Sequence, residues 1–419
     1  MTWLVLFAVL FSIVSGKIRY DLSAFAGLLL LGILGLKNPS DLFSGFSSPA
    51  LFTIITVLIM SAGMVESGIL SGLGKGIASR IHKAHNQVFA IYIATSLLSA
   101  FMNNVGAIGT VLPTAKRMAS RAKVPQSVFG LPIAYASILG GSLTLIGTAS
   151  NLIISTYRLN AFGEPFKMFD FAYHGLTMIL SGIIVVFVCR LCRFGPFANN
   201  SLAESNPNMK LADIPLEKPV ERSRRKSLIV LVGLIPVIIL TSIGILHPSI
   251  GFGIVVVIWI ALGVLSYHTA ISSINLSIIV FLGSMLGISS VLEETGALNS
   301  AISLISPVFA TLPPFLLILS FVLITALFAN LLNNSVSAVL MAPVAVTLWK
   351  SGVVPFNYDA LLMAVAAGSS LGIIIPSHQA TIVVMNSIDF PRKSFIKTGT
   401  AIAFMAVVLS TYVIYTIWC

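Results

Sequence analysis

The chain is built of apolar runs, most of them long enough for a helix to enter or cross a bilayer, separated by short polar stretches. These runs predict four spans in each half of the chain, at 2–16, 20–36, 49–65 and 170–192, and then at 228–246, 250–266, 275–292 and 396–417. The first two are short enough to need a thin bilayer or help from neighbours. A single polar linker, 194–227, separates the halves.

Two uncharged stretches do not fit single spans. The 32 residues between Lys83 and Lys116 are too many for one span of about 20 residues and too few for two spans with a turn. They predict a re-entrant hairpin at 87–120, and a similar stretch predicts a second hairpin at 315–349. Arms of about 14 residues would rise roughly 21 Å into a core about 30 Å thick, which places the tips past its middle.

Two further apolar stretches contain small and polar residues near their centres. Gly140-Gly141-Ser142 and Gly147-Thr148-Ala149-Ser150-Asn151 interrupt the first, which predicts a span at 125–157 that is broken in the middle. A straight helix that uses small residues for close packing is the alternative. The second broken span is predicted at 358–386. Segments 67–86 and 293–311 are predicted to lie in the membrane interface.

These elements occur in the same order twice. The pair Asn103-Asn104 recurs 230 positions later as Asn333-Asn334, and Glu66 matches Glu294 at an offset of 228. Each half has five crossings and one hairpin, so the second half would enter the membrane in the opposite orientation. The predicted fold is an all-α polytopic membrane protein with two inverted-topology repeats, 1–193 and 228–419, about 10 spans, two re-entrant hairpins and two broken helices.

Composition supports the membrane assignment. With 57% hydrophobic residues, 9% charged residues and a mean hydropathy of +1.01, the chain cannot be a soluble globule. The net charge of +11 therefore marks cytoplasmic loops and does not indicate nucleic-acid binding. If the linker is cytoplasmic, 20 of the 24 Lys and Arg residues lie inside. We expect a multi-pass protein of the inner (plasma) membrane with a cytoplasmic linker and both termini outside. The four cations outside would be Lys37, Arg158, Lys167 and Lys350.

Enzyme motifs give little support for an enzyme. There is no H-E-x-x-H and no cluster of carboxylates within the apolar stretches, and the G-x-S-x-G at 368–372 lies inside an apolar stretch. Cys189 and Cys192 form a C-x-x-C, but no further Cys or His pair lies nearby to complete a zinc site. The sequence predicts neither an enzyme nor a bound cofactor.

The repeated amide pairs indicate a polar site near the bilayer centre. Helix N-termini at the breaks would favour an anion, while unwound carbonyls and Asn, Ser and Thr oxygens suit a hard cation such as sodium. No Asp or Glu lies in the hairpins or at the centres of the broken spans, so sodium is a better candidate coupling ion than a proton. His378 is the one titratable candidate there, as a packing residue or a substrate contact.

The chain resembles the divalent-anion/sodium symporter family of dicarboxylate, citrate and sulfate carriers over nearly its whole length. In that family a Ser-Asn-Thr motif at each tip lies nine residues before a proline, a spacing kept by Asn104 to Pro113 and by Asn334 to Pro343. Asn replaces Ser at both tips, and Val105 removes a hydroxyl. The family's Gly-Thr-Pro-Pro-Asn is similar to the segment 147–151.

The resemblance implies roles for individual residues. The implied sodium ligands are Ser99, Asn104, Gly147, Asn151, Asn334, Ser377 and Thr381. The implied substrate contacts are Asn103, Asn104, Thr148, Asn333, Asn334, Ser335, His378 and Gln379. A homodimer with a fixed scaffold and a moving domain is also implied.

The resulting hypothesis is sodium-coupled symport of a small divalent anion, of the dicarboxylate or sulfate class, by an elevator mechanism. Other carriers of the wider superfamily, for arsenite, metal-citrate or sodium/proton exchange, remain alternatives. An anion channel and a membrane-embedded enzyme are more distant ones.

Overall fold

The structure is a computed structural model that describes residues 2–15, 17–69, 83–188, 223–376, 378–388 and 390–419. Within these ranges the regular secondary structure is entirely helical. The predicted all-α class is therefore confirmed.

The described part of the first half contains nine α-helices, with a 3₁₀ turn (Ser44–Ser47) before the fourth and a π turn (Ile184–Val188) after the ninth. They are α1 (Thr2–Ser15), α2 (Tyr20–Ile33), α3 (Pro39–Leu42), α4 (Pro49–Glu66), α5 (Ala84–Ser99), α6 (Asn104–Ala122), α7 (Ser127–Gly141), α8 (Ala149–Phe162) and α9 (Ala172–Ile183).

The described part of the second half contains ten α-helices. They are α10 (Arg224–Ser242), α11 (Pro248–Ala261), α12 (Tyr267–Ser272), α13 (Leu276–Glu294), α14 (Ala297–Ala310), α15 (Pro314–Leu331), α16 (Asn334–Lys350), α17 (Tyr358–Ser369), α18 (Gln379–Ser387) and α19 (Arg392–Trp418).

Among the described helices, five are long and apolar enough to cross a membrane: α4, α10, α13, α15 and α19. They include four of the eight predicted simple spans, whereas the helices at the other four, α1, α2, α9 and α11, have 12 to 14 residues. The hairpins are α5 with α6 and α15 with α16, and their arms have 16 to 19 residues, longer than the predicted 14. The broken spans are α7 with α8 and α17 with α18. Most of the predicted interfacial segment 67–86 lies outside the described residues, whereas α14 occupies its counterpart.

The two halves pack against each other in equivalent pairs. Helix α2 of the first half packs on α13 of the second, and α11 of the second packs on α4 of the first. Likewise α8 packs on α16, and α18 packs on α6. Each half-helix that follows a break therefore lies against the returning hairpin arm of the other half. The exact repeat boundaries at 193 and 228 stay a prediction.

Polar contacts divide the described helices into two bodies. We call residues 2–69 and 223–295 the frame, and residues 83–188 and 314–419 the hairpin body. The long-range side-chain hydrogen bonds of good geometry and the ion pairs between described residues each join two members of the same body. Across the boundary, Tyr157 makes a looser polar contact with Ser289, α4 packs on α6 and α8, and α13 packs on α16. Helix α14, which belongs to neither body, also packs on α16.

Two crossed ion pairs hold the frame together. Lys37, after α2, places its Nζ 2.6 Å from Oε1 of Glu294, at the end of α13. Lys226, in the first turn of α10, lies 3.7 Å from Oε1 of Glu66, at the end of α4. The matched glutamates of the two repeats are thus each paired with a lysine from outside their own repeat, Lys37 from the first repeat and Lys226 from the end of the linker.

Candidate functional site

The first asparagine of each pair caps the returning arm of its hairpin. Oδ1 of Asn103 accepts a hydrogen bond from the backbone N–H of Gly106 at 2.7 Å, and Oδ1 of Asn333 accepts one from Val336 at 2.8 Å. These bonds satisfy N–H groups that have no partner within the helix. Because the oxygen is engaged, the amide nitrogen is the group of each side chain that remains to contact a ligand, and it is a donor suited to an anion.

The second asparagine of the first pair points into the protein. Asn104 is buried, and its Oδ1 lies 2.8 Å from Oγ of Ser99, which also lies 2.5 Å from the carbonyl oxygen of Ser137. One hydroxyl hydrogen is shared among these three oxygens. A methyl group added at Gly141 would lie 2.9 Å from Asn104 Oδ1 and 3.0 Å from the carbonyl oxygen of Gly147. Ser99, Asn104 and Gly147 are therefore brought together as the resemblance implies.

The equivalent position in the second hairpin has an unsatisfied oxygen. Asn334 is 7% exposed, and its Oδ1 is buried without a hydrogen-bond partner among the described residues. It packs so closely on Gly372, in the second break, that a side chain there would overlap it. The carbonyl oxygen of Ala329 lies 3.0 Å from the same position. A buried acceptor without a donor is costly, so this arrangement favours a bound cation.

Three more side-chain oxygens near the breaks, those of Ser150, Asn151 and Thr381, lack partners in the described part of the chain. Asn151 and Thr381 are fully buried and occupy equivalent positions, 230 residues apart, in the first turns of α8 and α18. Neither Oδ1 of Asn151 nor Oγ1 of Thr381 has a hydrogen-bond partner. Neutral oxygen ligands of this kind suit hard cations such as sodium.

The first break is held by Thr144, which the sequence analysis did not single out. Its hydroxyl donates to the carbonyl oxygen of Ala100 at the first tip, and it accepts from the N–H of Gly147 at 3.2 Å. Nδ2 of Asn151 donates to the Thr144 carbonyl at 2.9 Å. The unwound backbone is therefore fixed relative to the hairpin.

Asn330 holds the second break from the opposite direction. Its Nδ2 donates to the carbonyl oxygen of Leu371 at 2.8 Å, and its Oδ1 accepts from the N–H of Ile374 at 2.9 Å. Asn330 is equivalent to Ala100, so here the tip supplies the side chain and the break supplies the backbone. The sequence signal for this role was the position of Asn330, a polar residue four positions before Asn334.

The second halves of the broken helices begin beside the hairpins. Thr148 caps α8 without a side-chain hydrogen bond, and His378 caps α18, with Nδ1 accepting from the N–H of Ala380 at 3.2 Å. Gln379 is the exposed first residue of α18. Half-helix N-termini carry about half a positive charge each, and α8 and α18 pack on α16 and α6, which also begin at the tips.

Two predicted residues contribute less to this description. Ser335 is half-buried in the first turn of α16, and Ser377 lies outside the described residues.

In the ranges that the structure describes, no three His, Cys, Asp or Glu residues are grouped to hold a metal ion. The tip region is thus lined by amides, hydroxyls and backbone groups, and a bound anion there would have to be balanced by helix termini and cations.

Comparison with known proteins assigns the family. The citrate transporter family model matches residues 9–415. The chain belongs to the citrate transporter family. With the sodium/sulfate cotransporters among the relatives, this membership confirms the resemblance found in the sequence. The chain spans less than a fifth of the length of those cotransporters.

Several relatives of this family member are named as transporters or membrane proteins. The chain is 29% identical over 167 residues to an uncharacterized transporter of Synechocystis, covering 40% of this chain and 27% of that protein. It is 25% identical over 154 residues to sodium/sulfate cotransporter 1 of Chlamydomonas reinhardtii, covering 35% and 18%. A 46 kDa membrane protein of Mycobacterium leprae is 23% identical over 380 residues, covering 86% and 83%.

A solved structure shares the fold of this family member. The YdaH transporter of Alcanivorax borkumensis, whose structure is described as having an unusual topology, aligns with a TM-score of 0.61 and 17% identity. The alignment covers 90% of this chain and 86% of that one. The polytopic helical architecture predicted from the sequence is confirmed by this match.

Proposed function

We propose that this transporter carries a small divalent anion, of the dicarboxylate or sulfate class, together with sodium ions. The observation that carries the proposal is the buried, unpartnered Oδ1 of Asn334 beside Gly372, with Ser99, Asn104 and Gly147 at the equivalent place in the first repeat. Uncharged oxygens at both tips favour a monovalent hard cation. Two such cations would offset the charge of a divalent anion held by the tip amides and half-helix N-termini.

An elevator movement is the mechanism that the contacts favour. The long-range hydrogen bonds of good geometry and the ion pairs between described residues stay within the frame or within the hairpin body, so the two bodies can shift past each other without breaking them. Both hairpins and both breaks belong to the hairpin body. Anion and sodium would therefore travel with it while the frame stays fixed.

The cellular arrangement follows from the same proposal. We place the protein in the plasma (inner) membrane, as a homodimer, with the linker 194–227 in the cytoplasm and both termini outside. The excess of Lys and Arg on the linker side supports this orientation.

Uptake by purified protein in liposomes tests the function. Labelled sulfate, succinate and citrate are offered under an inward sodium gradient, and under an imposed pH gradient without sodium. We expect accumulation of at least one anion driven by sodium and insensitive to the pH gradient. A pH-driven flux without sodium would instead indicate proton coupling through His378. Failure of all three anions to accumulate with sodium would contradict the proposed substrate class.

A further inference from the structure

A second polar cavity lies between the two bodies, away from the hairpin tips. It has a volume of about 340 Å³, a size that suits a small organic ion. The frame contributes Ser48, Ser289 and Glu293 to its lining, and the hairpin body contributes Tyr157 and Lys350. Lys350 ends α16, roughly 24 Å along the helix from Asn334 at the tip, whereas Tyr157 lies on α8 about 9 Å along the helix from Asn151.

Two hydroxyl groups in this cavity lack hydrogen-bond partners. Tyr157 and Ser289 are each 5% exposed, and neither hydroxyl has a partner among the described residues. They are close to each other without forming a well-aligned hydrogen bond. Buried hydroxyl groups nearly always have a hydrogen-bond partner. These two have none in the described ranges, so each can donate a hydrogen bond to a ligand in the cavity.

The charges around the cavity favour an anion. The N-terminus of α4 opens onto it at Ser48 and Pro49, and the Ser48 side chain makes no capping hydrogen bond. Lys350 adds a full positive charge and forms no ion pair in the described part of the chain, in contrast to Lys37, which pairs with Glu294. Glu293 is the opposing charge, close enough to interact with Lys350 without an ion-pair contact.

We propose that this cavity is an outer binding site for a small oxyanion, a carboxylate or sulfate, that the anion occupies before it reaches the tips. This inference rests on the proposed function, from which we take the side of the membrane on which the anion arrives. Lys350 and Tyr157 hold the anion from the hairpin body, while Ser289 and the α4 N-terminus hold it from the frame. An anion that contacts both bodies opposes their relative movement. Excess external anion therefore slows uptake.

Binding of labelled sulfate and labelled citrate to a purified Asn104→Ala/Asn334→Ala protein without sodium isolates this site, because the proposed sodium ligands that would balance an anion at the tips are then removed. We expect residual binding of at least one anion. Lys350→Met should weaken it about tenfold, and Tyr157→Phe several-fold, corresponding to one charge-assisted and one neutral hydrogen bond. Glu293→Gln should strengthen it, because a repelling charge is removed. The matched control is Lys167→Met, an exposed lysine outside the cavity, which should not change binding.

Three results would overturn the proposal. The first is no binding of either anion in the double-alanine background while the wild-type protein transports with sodium, which leaves the proposed function intact. The second is weaker binding in Glu293→Gln, which indicates a cationic ligand. The third is unchanged binding in both Lys350→Met and Tyr157→Phe. Tyr157→Phe removes only a hydroxyl group that has no hydrogen-bond partner among the described residues. The variant should therefore have the same melting temperature as the parent protein, and this measurement excludes a folding defect.

A kinetic measurement tests the role of the site in the otherwise unmodified protein. Uptake should fall at high external anion concentration, and in Tyr157→Phe this inhibition should require a several-fold higher concentration. Inhibition that persists unchanged in Tyr157→Phe and in Lys350→Met would contradict a site that bridges the two bodies.

Discussion

The guanidinium of Arg158 donates two hydrogen bonds to the carboxylate of Asp359, from Nε at 2.7 Å and from Nη2 at 3.1 Å. The side chains are only 14% and 5% exposed. Arg158 also donates to the carbonyl oxygens of Glu164 and Pro165 and lies over the ring of Phe166. The pair joins the end of α8 to the start of α17 and so links the broken helices of the two repeats.

Asp359→Asn should lower the stability of the protein strongly. The substitution leaves a largely buried guanidinium without its counter-charge, which costs about 3–5 kcal/mol in comparable buried pairs. Thermal unfolding of the purified protein measures the effect. Glu294→Gln is the control, because that carboxylate is 59% exposed and its pair with Lys37 should contribute less. Equal melting temperatures for Asp359→Asn and the parent protein would contradict this account.

Asn104→Ala and Asn334→Ala should each abolish sodium-driven uptake while the protein remains folded. Each substitution removes a buried oxygen from one proposed cation site, and the alanine leaves the helix intact. The measurement is uptake in liposomes, with thermal unfolding to verify the fold. Asn299→Ala, at an exposed position on α14, should behave like the parent. Normal uptake in either tip variant would refute the assignment.

Gly372→Ala should weaken sodium binding, and therefore raise the sodium concentration required for uptake, more than Gly109→Ala. A methyl group at Gly372 would overlap Oδ1 of Asn334, whereas one at Gly109 has nothing within 4 Å. Displacing the amide should cost about 1–3 kcal/mol, and so raise the sodium concentration for half-maximal uptake about tenfold or more. Gly109→Ala should leave that concentration unchanged. A similar sodium dependence in both variants would show that the Asn334 oxygen does not contact the ion.

A reversible cross-link between the bodies should stop transport. A methyl group at Gly106 would lie 3.4 Å from Oγ of Ser61 across the boundary, so cysteines at both positions should form a disulfide. In a background without the native cysteines, oxidation should block uptake and reduction should restore it. The control is a pair of cysteines at Thr2 and Thr295, whose Oγ1 atoms lie 3.5 Å apart and which both belong to the frame. Undiminished uptake after complete Ser61→Cys/Gly106→Cys cross-linking would contradict the elevator mechanism.

Local sequence signals were sufficient for the helix pairs at the predicted hairpins and for the breaks, while the re-entry of these pairs into the membrane stays a prediction. The uncharged stretches predicted a hairpin at 87–120, and the arms run from Ala84 to Ala122. The run of glycines and hydroxyls predicted a break inside 125–157, and the break separates Gly141 from Ala149. Both signals depend on residues that are close in the chain, so no knowledge of packing was required.

Contacts between distant residues could not be predicted in the same way. Nothing in the sequence near Asn330 shows that its side chain reaches Leu371, and Tyr157 meets Ser289 only because the two repeats pack together. The capping role of Asn103 was also missed, since a cap and a ligand contact use the same residue type. The roles of the individual tip residues stay predictions until binding is measured.

The crossed pairs Lys37–Glu294 and Lys226–Glu66 have a consequence for how such a protein is assembled. The first repeat alone would end its long frame helix at Glu66 without Lys226, and the second repeat alone would end its helix at Glu294 without Lys37. Each pair forms only once both halves have been inserted, so the charges of one half help to fix where the other half comes to rest.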